Sequence, residues 1–336
     1  MRLFVTGASG FVGGAATKTL IASGHPVRAM SRSEKSDAAL RGLGAEPVRC
    51  DLENIAASHI GDAEVVLHCA AFVEQWGPRD AWRKFNVEGT AKTLKAAREA
   101  GVRRFIHIGT EAALFHGQHL RGVDETYPLA PNSPYPYSAT KAQAEALVRA
   151  ANRTAGAPPA NIDAGEGAGG PFETIVLRPR FIWGPGDTTL LPVIEALARA
   201  GKFLWVDGGR CKTSTTHIDN LVHAIELALT QGRAGEAYFI LDDGVRPMRE
   251  MIAGLAASRG VALPDKSVPA WVADALGAAC EAAWRALPLK GAPPLTRFSA
   301  MILSRDAVLN DAKARAEMGY RPVISVEDGM GALALG

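Results

Sequence analysis

Cysteine is scarce in this sequence, and its few cysteines do not form a metal-binding pattern. Cys50, Cys69, Cys211 and Cys280 are far apart, and no two of them stand in a C-x-x-C pair. Such spacing predicts neither a zinc site nor a redox-active dithiol. Isolated cysteines among mostly apolar neighbours are typical of reduced core thiols in a cytoplasmic protein, which is the location we expect.

Charge of one sign and long hydrophobic runs are also missing. The 336 residues include 37 basic and 35 acidic side chains, so there is no basic excess of the kind that binds nucleic acid. No apolar run reaches the roughly 18 residues of a spanning helix. The richest late stretch, 270–289, is interrupted by Asp274, Glu281 and Arg285. Strand-like sequence begins at Arg2, which leaves no room for a signal peptide.

The first half of the sequence alternates short apolar runs with longer helical patterns. Strands are predicted at 3–5, 27–30, 47–50, 65–68, 104–108 and 174–177, and helices at 11–23, 82–100 and 138–151. This βαβα order is typical of an α/β fold with a Rossmann-type, doubly wound parallel sheet. Ligands of such a sheet bind at the carboxyl ends of its strands.

The pattern becomes less regular after Gly184. The later predicted elements are helices at 192–200, 218–230, 269–287 and 310–318 and a strand at 237–241. We expect an NAD(P)-binding domain over 1–180 and a smaller, interleaved substrate-binding domain over 181–336, with segments near 205–235 returning to the first. The stretch 154–171, rich in Ala, Gly and Pro, is interpreted as a flexible insertion.

A glycine-rich loop joins the first predicted strand to the first predicted helix. The sequence TGASGFVGG places glycines at Gly7, Gly10 and Gly13. Glycine lets the backbone approach a pyrophosphate, and the amino terminus of the helix supplies free N–H groups and positive potential. Although the spacing differs from G-x-G-x-x-G, its place between strand and helix predicts a dinucleotide site. The predicted contacts in the loop also include Ser9, Phe11 and Val12.

The end of the second predicted strand indicates which dinucleotide binds. An acidic residue about 20 positions after the loop would bind the ribose 2′-hydroxyl of NAD, but Ser31 and Arg32 stand there. An arginine can pair with a 2′-phosphate, so NADP(H) is favoured over NAD(H). In the alternative interpretation, Arg32 is a solvated loop charge and Glu34 binds the ribose. Asp51 and Leu52 are expected beside the adenine, unless Asp51 only caps a turn.

Tyr137 and Lys141 form a Tyr-x-x-x-Lys pair where the third helix begins. One helical turn separates them, so their side chains share a face. An ammonium group beside a phenol stabilises the phenolate and lowers its pKa. Tyr137 can then exchange a proton with a carbonyl or hydroxyl while hydride moves to or from a nicotinamide. Thr110 follows the strand 104–108 and is expected to bind the same oxygen, unless it only caps a turn.

Together, the TGxxGxxG loop, Thr110 and the Tyr137/Lys141 pair resemble the extended short-chain dehydrogenase/reductase family, which includes NAD-dependent epimerases and dehydratases. Further motifs that resemble the family are LHCAA at 67–71, FNVEGT at 85–90, LRPRFIWGPGD at 177–187 and THIDNLVHA at 216–224. The resemblance implies further cofactor contacts from Ala70, Ala71, Asn86, Pro179 and Ile182. It also implies that Tyr137 is the acid or base, that Lys141 tunes its pKa and binds the ribose, and that Thr110 binds substrate oxygen.

Two segments resemble one branch of this family. AFVEQWG at 71–77 and PPLTRF at 293–298 are similar to the 3β-hydroxysteroid dehydrogenase-like branch, which includes bacterial reductases of long-chain β-keto acids. The resemblance implies hydride transfer between NAD(P) and a carbonyl or secondary alcohol of a hydrophobic substrate, steroid-like or a long-chain β-keto acid. It also implies a homodimer. The sequence departs from the family at Gly109, where a serine is usual, and at Ser31, which replaces the NAD-type Asp.

Two other functions remain open at this point. A nucleotide-sugar epimerase or dehydratase with tightly bound NAD shares the scaffold, and Arg178, Arg180 and Arg210 would be its diphosphate ligands. A non-catalytic NADP(H) sensor would need no proton donor, so the Tyr-x-x-x-Lys pair argues against it. No metal site is expected, because the histidines have no partners at a known ligand spacing.

Two further features have more than one interpretation. Glu111, directly after Thr110, is expected to form a structural ion pair rather than to contact substrate. The apolar helix predicted at 269–287 is interpreted as a lid over a hydrophobic substrate or as core packing, in preference to a membrane-contacting surface.

Overall fold

The computed structural model describes residues 1–153, 171–188, 191–287 and 289–335. The strands are β1 (Leu3–Thr6), β2 (Val27–Ser31), β3 (Glu46–Arg49), β4 (Val65–His68), β5 (Arg104–Ile108), β6 (Leu120–Val123), β7 (Glu173–Pro179), β8 (Ile182–Trp183), β9 (Trp205–Val206), β10 (Lys212–Thr213), β11 (Thr216–His217), β12 (Ala237–Ile240), β13 (Arg246–Pro247), β14 (Ser267–Val268) and β15 (Ala307–Leu309). Nearly all of the predicted insertion at 154–171 lies outside the described residues.

The described helices lie between these strands. They are α1 (Phe11–Ala22), α2 (Glu34–Gly42), α3 (Ala57–Ile60), α4 (Gly89–Glu99), α5 (Pro136–Ala150), α6 (Leu191–Arg199), α7 (Ile218–Ala228), α8 (Met248–Ala257), α9 (Ala270–Ala286), α10 (Arg297–Ser304), α11 (Ala312–Glu317) and α12 (Val326–Leu335). A π-helix (Arg83–Glu88) runs directly into α4, and 3₁₀ turns cover Glu111–Leu114 and Asp207–Gly209. Within this described part, no helix is long and apolar enough to cross a membrane.

A parallel sheet lies at the centre of the described chain. Its seven strands lie in the order β12-β7-β5-β4-β1-β2-β3, and all neighbours run parallel. Every residue of β1 and of β4 is buried, as is typical of strands that helices cover on both faces. The order reverses between β1 and β4, which opens a crevice at their carboxyl ends. The predicted doubly wound fold is confirmed.

Two layers of helices bury the two faces of this sheet. On one face, Leu20 of α1 and Leu221 of α7 pack in one cluster with Val5 of β1. On the other, Leu94 of α4 and Val148 of α5 pack in a second cluster. Burial of each such side chain contributes about 1.5–3 kcal/mol, so these layers fix the strand ends that carry the site.

A smaller sheet forms beside the carboxyl end of the large one. Its four strands lie in the order β13-β10-β15-β6, so β6 from the first half of the chain joins three strands from the second half. Helices α9 and α10 pack so closely that a Cβ at Gly277 would lie only 2.9 Å from the carbonyl oxygen of Thr296. The outer face of α9 stays exposed, with Trp271 74% accessible. The division into two domains stays a prediction.

Candidate active site

The glycine-rich loop lies at the carboxyl end of β1 and leads directly into α1. Gly7 has a φ of 71°, and a Cβ at Gly13 would overlap the carbonyl oxygen of Gly7. Helix α1 begins after Gly10 without a side-chain cap and without an acidic residue in its first turn. Its free N–H groups and partial positive charge therefore suit a pyrophosphate, and the residues fit a dinucleotide. Ser9, Phe11 and Val12 lie in the same turn.

A buried polar network lies beneath this loop. The Thr6 hydroxyl lies 2.8 Å from His68 Nδ1 and accepts the Ala70 N–H at 3.1 Å. His68 Nε2 lies 3.0 Å from the Thr90 hydroxyl. Burial lowers the pKa of His68 to about 3, and the nearby charge of Lys141 acts in the same direction, so the imidazole is neutral. The network fixes the end of β4 against the loop, and no motif in the sequence predicted it.

The end of β2 offers an unpaired cation. Ser31 is buried, and its hydroxyl donates to the carbonyl oxygen of Ser33 at 3.2 Å. Arg32 is exposed and, among the residues that the structure describes, has no hydrogen bond or ion pair. Glu34, the alternative ribose ligand, is also exposed and begins α2.

Asp51 and Leu52 follow β3 near the same edge. The Asp51 carboxylate accepts the N–H groups of Glu53 at 2.8 Å and Asn54 at 3.0 Å, so it caps a turn as in the alternative interpretation. Leu52 is buried, and its Cβ approaches the position that a Cβ of Gly89 would take. Their predicted place beside an adenine stays a prediction.

Asn86 holds the loop that follows β4. Its Oδ1 accepts the Phe72 N–H at 2.6 Å, and its Nδ2 donates to the Phe72 carbonyl at 3.1 Å and to the Thr140 hydroxyl at 3.2 Å. Ala70 and Ala71 lie in this loop. Asn86 lies in the π-helix, so the helix predicted at 82–100 is a regular α-helix only from Gly89 onward. Such π turns are frequent at functional sites. Asn86 thus joins three elements at the cofactor crevice.

Tyr137 and Thr110 meet where α5 begins and β5 ends. The Thr110 side chain lies close enough to the Tyr137 hydroxyl to lower its pKa. Lys141 is buried one turn later, where its Nζ donates to the Ile108 carbonyl at 2.7 Å and lies 3.5 Å from His107 Nε2. The ammonium group is thus held at the end of β5. The role of Lys141 in tuning Tyr137 stays a prediction.

Burial changes the acidity of both groups. It raises the pKa of Tyr137 well above its usual value, and the Glu111 carboxylate raises it further, whereas the Thr110 side chain acts in the opposite direction. Burial lowers the pKa of Lys141 to about 8, although Glu145 opposes this shift. In this structure Tyr137 is therefore a phenol, the form that can donate a proton.

Gly109 stands where the resemblance leads us to expect a serine. A Cβ at this position would lie 2.8 Å from Val176 Cγ1, and the Gly109 N–H donates to the Leu177 carbonyl at 2.7 Å. Packing against β7 therefore accounts for the missing hydroxyl, and Thr110 supplies the remaining one.

Two buried ion pairs lie behind these residues. Arg178 pairs with Glu145, and Arg180 pairs with Glu111, with all four side chains almost completely buried. The ion pair expected for Glu111 is present. Arg178 and Arg180 therefore face carboxylates rather than solvent, which removes two of the three arginines that a nucleotide-sugar enzyme would use. Arg210 is exposed.

Pro179 and Ile182 lie at the carboxyl end of β7. Pro179 is the last residue of β7, and Ile182 begins β8, which pairs with β11. Between them, Phe181 has a φ of 46°, in the left-handed region that a bulky residue rarely adopts. The strained turn carries both residues to the edge of the sheet where ligands bind.

A narrow cleft opens over Tyr137, and five aromatic side chains line it. Phe298 lies 5.6 Å from the Tyr137 ring, measured between ring centroids. Arg285 stacks at 4.0 Å over the Trp76 ring and donates to the Gly77 carbonyl at 3.1 Å. The segments 71–77 and 293–298 thus meet across the cleft. The lining residues are Glu74, Gln75, Trp76, Trp82, Pro134, Tyr135, Pro136, Tyr137, Glu281, Arg285, Arg297 and Phe298.

Within the described ranges, no three His, Cys, Asp or Glu side chains are grouped closely enough to hold a metal ion. Sequence reasoning missed Phe298 as a neighbour of Tyr137 and His107 as a neighbour of Lys141. Phe298 belongs to the motif PPLTRF, and His107 belongs to the segment FIHIG at 105–109. Neither pattern indicates which residue these side chains contact.

Comparison with known proteins identifies the family. Residues 4–269 match the model of the 3-beta hydroxysteroid dehydrogenase/isomerase family. The chain belongs to this family. One relative of this protein is a 4-hydroxy-2-methyl-3-oxo-4-farnesyl-3,4-dihydroquinoline-1-oxide ketoreductase of Stigmatella aurantiaca. It is 38% identical over 336 residues, which cover 99% of this chain and 96% of the relative.

A second relative of this protein is a 2-alkyl-3-oxoalkanoate reductase of Stenotrophomonas maltophilia. The two sequences are 36% identical, and the alignment covers 98% of this chain and 97% of the relative. Among solved structures, the dTDP-glucose 4,6-dehydratase DesIV of Streptomyces venezuelae is similar in fold. Its TM-score is 0.74 at 24% identity, over 100% of this chain and 96% of that one. This protein is thus an NAD(P)-dependent oxidoreductase with the extended short-chain dehydrogenase/reductase fold. The resemblance to the 3β-hydroxysteroid dehydrogenase-like branch is confirmed.

The glycine loop gives a first test of the site. Gly13→Ala is expected to weaken nucleotide binding at least tenfold, because its Cβ would overlap the Gly7 carbonyl oxygen and displace the loop. Fluorescence titration with NADPH and NADH measures the effect, and circular dichroism verifies the fold. Gly42→Ala is the matched control, since nothing lies within 4 Å of a Cβ there. Equal affinities for wild type and Gly13→Ala would contradict this assignment of the loop.

Proposed function

We propose that the protein is an NADP(H)-dependent ketoreductase that reduces a hydrophobic ketone to a secondary alcohol, with Tyr137 as the proton donor. The observation that carries the proposal is that Tyr137 lines a cleft with four other aromatic side chains, one helical turn from the buried ammonium group of Lys141. The cytoplasmic location and the homodimer stay predictions.

The chain's own residues supply the proton chemistry. When bound, the reduced nicotinamide supplies a hydride to the carbonyl carbon. Tyr137 donates its proton to the carbonyl oxygen, and Thr110 is the second hydroxyl near that oxygen. Lys141 carries a positive charge beside the end of β5, which suits the hydroxyl groups of a ribose and the phenolate that Tyr137 becomes. The aromatic walls exclude water from the reacting atoms.

Removing the phenol hydroxyl tests this assignment. Tyr137→Phe is expected to lower kcat for ketone reduction by roughly 100-fold or more, because a positioned general acid is lost. The affinity for NADPH is expected to change little. Tyr135→Phe is the control, since Tyr135 lines the same cleft but its fourth neighbour is Ala139. Unchanged turnover in Tyr137→Phe would contradict catalysis by this residue and favour a nucleotide sensor.

The preference for NADP(H) is supported by the charge at the end of β2. Arg32 is exposed without an acidic partner in the described chain, so a 2′-phosphate would be its first counter-ion. The buried Ser31 offers a short hydroxyl where a carboxylate would bind the ribose of NAD. A glutamate is exposed nearby at Glu34, but it stands in the first turn of α2, where its charge suits the helix amino terminus.

Arg32 therefore gives a second test. Arg32→Ala is expected to raise the Kd for NADPH about tenfold and to leave the Kd for NADH unchanged, because a charge-assisted hydrogen bond is lost. Titration of both nucleotides into both proteins measures this. Arg41→Ala, at the other end of α2, is the matched control for surface charge. Wild-type protein that binds NADH as tightly as NADPH would contradict the preference.

The substrate is proposed to be a long-chain β-keto acid in preference to a steroid. The Stenotrophomonas relative is named for 2-alkyl-3-oxoalkanoate, a ketone beside a carbon that carries an alkyl chain and a carboxylate. Two arginines line the cleft over Tyr137. Arg285 is engaged by Trp76 and the Gly77 carbonyl, whereas the Arg297 guanidinium only lies 6.0 Å over the Tyr135 ring. Arg297 is thus available to a carboxylate.

Paired substrates test this choice. Arg297→Gln is expected to raise KM for a 2-alkyl-3-oxo acid about tenfold, with little change for its methyl ester, because only the acid can form the charged contact. Oxidation of NADPH is followed with both substrates. Arg210→Gln, which removes an exposed arginine outside the cleft, is the control. The same KM change for acid and ester would contradict carboxylate binding by Arg297.

A further inference from the structure

Helix α9 has an outer side that is almost entirely apolar. Every exposed residue of α9 except Arg285 is an alanine, a leucine or a tryptophan. One stripe along the helix, with intervals of three or four residues, is formed by Trp271, Ala275, Ala278, Ala282 and Ala286. A surface helix of a globular protein normally turns its polar residues to water, and α9 shows the reverse order.

The charged residues of α9 are engaged by the rest of the protein. Asp274 forms an ion pair with Arg305 at 2.9 Å. Glu281 accepts the N–H of Arg297, the first residue of α10, at 2.7 Å. Arg285 lines the aromatic cleft. On the outer side of α9, as far as the structure describes it, no carboxylate is therefore left to balance a positive charge.

Both ends of this outer side carry large apolar groups and lysines. Trp271 stands in its first turn, and Leu287 and Leu289, 54% and 43% exposed, follow its last turn. Lys266 precedes the helix and Lys290 follows it. Both lysines are exposed, and neither forms an ion pair within the described residues. An apolar helix face with tryptophan, leucine and flanking lysines is typical of helices that lie in the interface of a membrane.

We propose that the outer side of α9 binds the surface of a membrane that contains anionic phospholipids. The apolar stripe would lie at the boundary between headgroups and acyl chains, with the lysines among the headgroups. This inference does not rest on the proposed function, because it concerns a surface and not the reaction. The sequence pattern favoured a lid or core packing for this helix, since it could not show that Asp274 and Glu281 turn inward.

Charge favours lipid over a second copy of this chain as the occupant. In a symmetric pair formed through α9, a lysine of one copy would lie near a lysine of the other, whichever way the two helices ran. These like charges would repel, because no carboxylate of the outer side compensates them. An anionic bilayer attracts Lys266 and Lys290 together, and it buries Trp271 and the two leucines.

A membrane in this position would lie close to the reacting residues. The inner side of α9 contributes Glu281 and Arg285 to the cleft over Tyr137. A helix with its side chains is about 10–12 Å wide, so roughly one helix width would separate the lipid from this cleft. Molecules with long alkyl chains concentrate in lipid, which would bring a hydrophobic ketone to the same place.

Flotation with large unilamellar vesicles tests the proposal on the whole chain, without substrate. The wild type is expected to bind vesicles of phosphatidylcholine and phosphatidylglycerol at least tenfold more tightly than vesicles of phosphatidylcholine alone. Added NaCl is expected to weaken this binding, because salt screens the lysines. In Trp271→Glu, the binding is expected to fall at least tenfold, because a negative charge replaces the apolar anchor. A glutamate in the first turn suits the helix amino terminus, so the fold is expected to persist.

Two further variants separate charge from apolar contact. Lys266→Gln/Lys290→Gln is expected to lower binding to the anionic vesicles roughly tenfold and to leave binding to phosphatidylcholine unchanged. Val193→Glu is the matched control, since Val193 is a 55% exposed apolar residue of another helix, α6. It is expected to bind like the wild type. Circular dichroism verifies the fold of each variant.

Equal binding of the wild type to the two kinds of vesicle would overturn the proposal, and so would Trp271→Glu protein that binds like Val193→Glu. Sedimentation in the absence of lipid checks the alternative occupant. A wild-type dimer that Trp271→Glu converts to a monomer would mean that a second copy covers this side, and the inference would be wrong. None of these measurements depends on turnover. Ketone reduction by Tyr137→Phe would overturn the proposed function and leave this inference unaffected.

Discussion

The close approach of two backbones at the reversal point of the sheet is the constraint on which the rest of the site depends. A Cβ at Gly7 would lie 2.8 Å from the Ala70 nitrogen, so only glycine lets β1 turn beside the end of β4. The Thr6 hydroxyl then reaches the Ala70 N–H, and His68 completes the contact below. The cofactor loop, the crevice and the loop tied by Asn86 all start from this junction.

Charge is buried to an unusual degree behind the reacting hydroxyls. Lys141 lies one turn from Tyr137, Glu111 follows Thr110, and Arg180 pairs with Glu111; each of the three is less than a tenth exposed. Breaking one such pair is expected to destabilise the fold by about 3–5 kcal/mol, since an uncompensated charge would remain. A chain that kept these groups only for stability would do as well with apolar side chains, so their retention agrees with a chemical role.

Much of the fold could be predicted because its signals are local. The buried strands Leu3–Thr6 and Val65–His68 each begin with three consecutive apolar residues, and the glycines of the loop stand between a strand and a helix. The helices α2 and α8 and the small sheet were not predicted. The strands of the small sheet have two to four residues each, too few for a periodic pattern, and its strand β6 pairs with β15, far along the chain.

The candidate site shows the same division. Helical spacing brought Tyr137 and Lys141 to one face, but it could not reveal that the Lys141 ammonium is held by the Ile108 carbonyl. The Glu111–Arg180 pair joins residues 69 positions apart, so only the fold reveals it. Asn86 was predicted from a motif as a cofactor contact, whereas its hydrogen bonds to Phe72 depend on a π-helix that apolar periodicity does not encode.

The contacts across the cleft have a kinetic consequence. Arg285 joins α9 to the 71–77 segment through Trp76 and the Gly77 carbonyl, and Ser299 of α10 hydrogen-bonds Gln75 of the same segment. A bulky substrate that enters between these walls would have to break these contacts, and an enzyme with fast chemistry at Tyr137 would then be limited by the departure of its alcohol product.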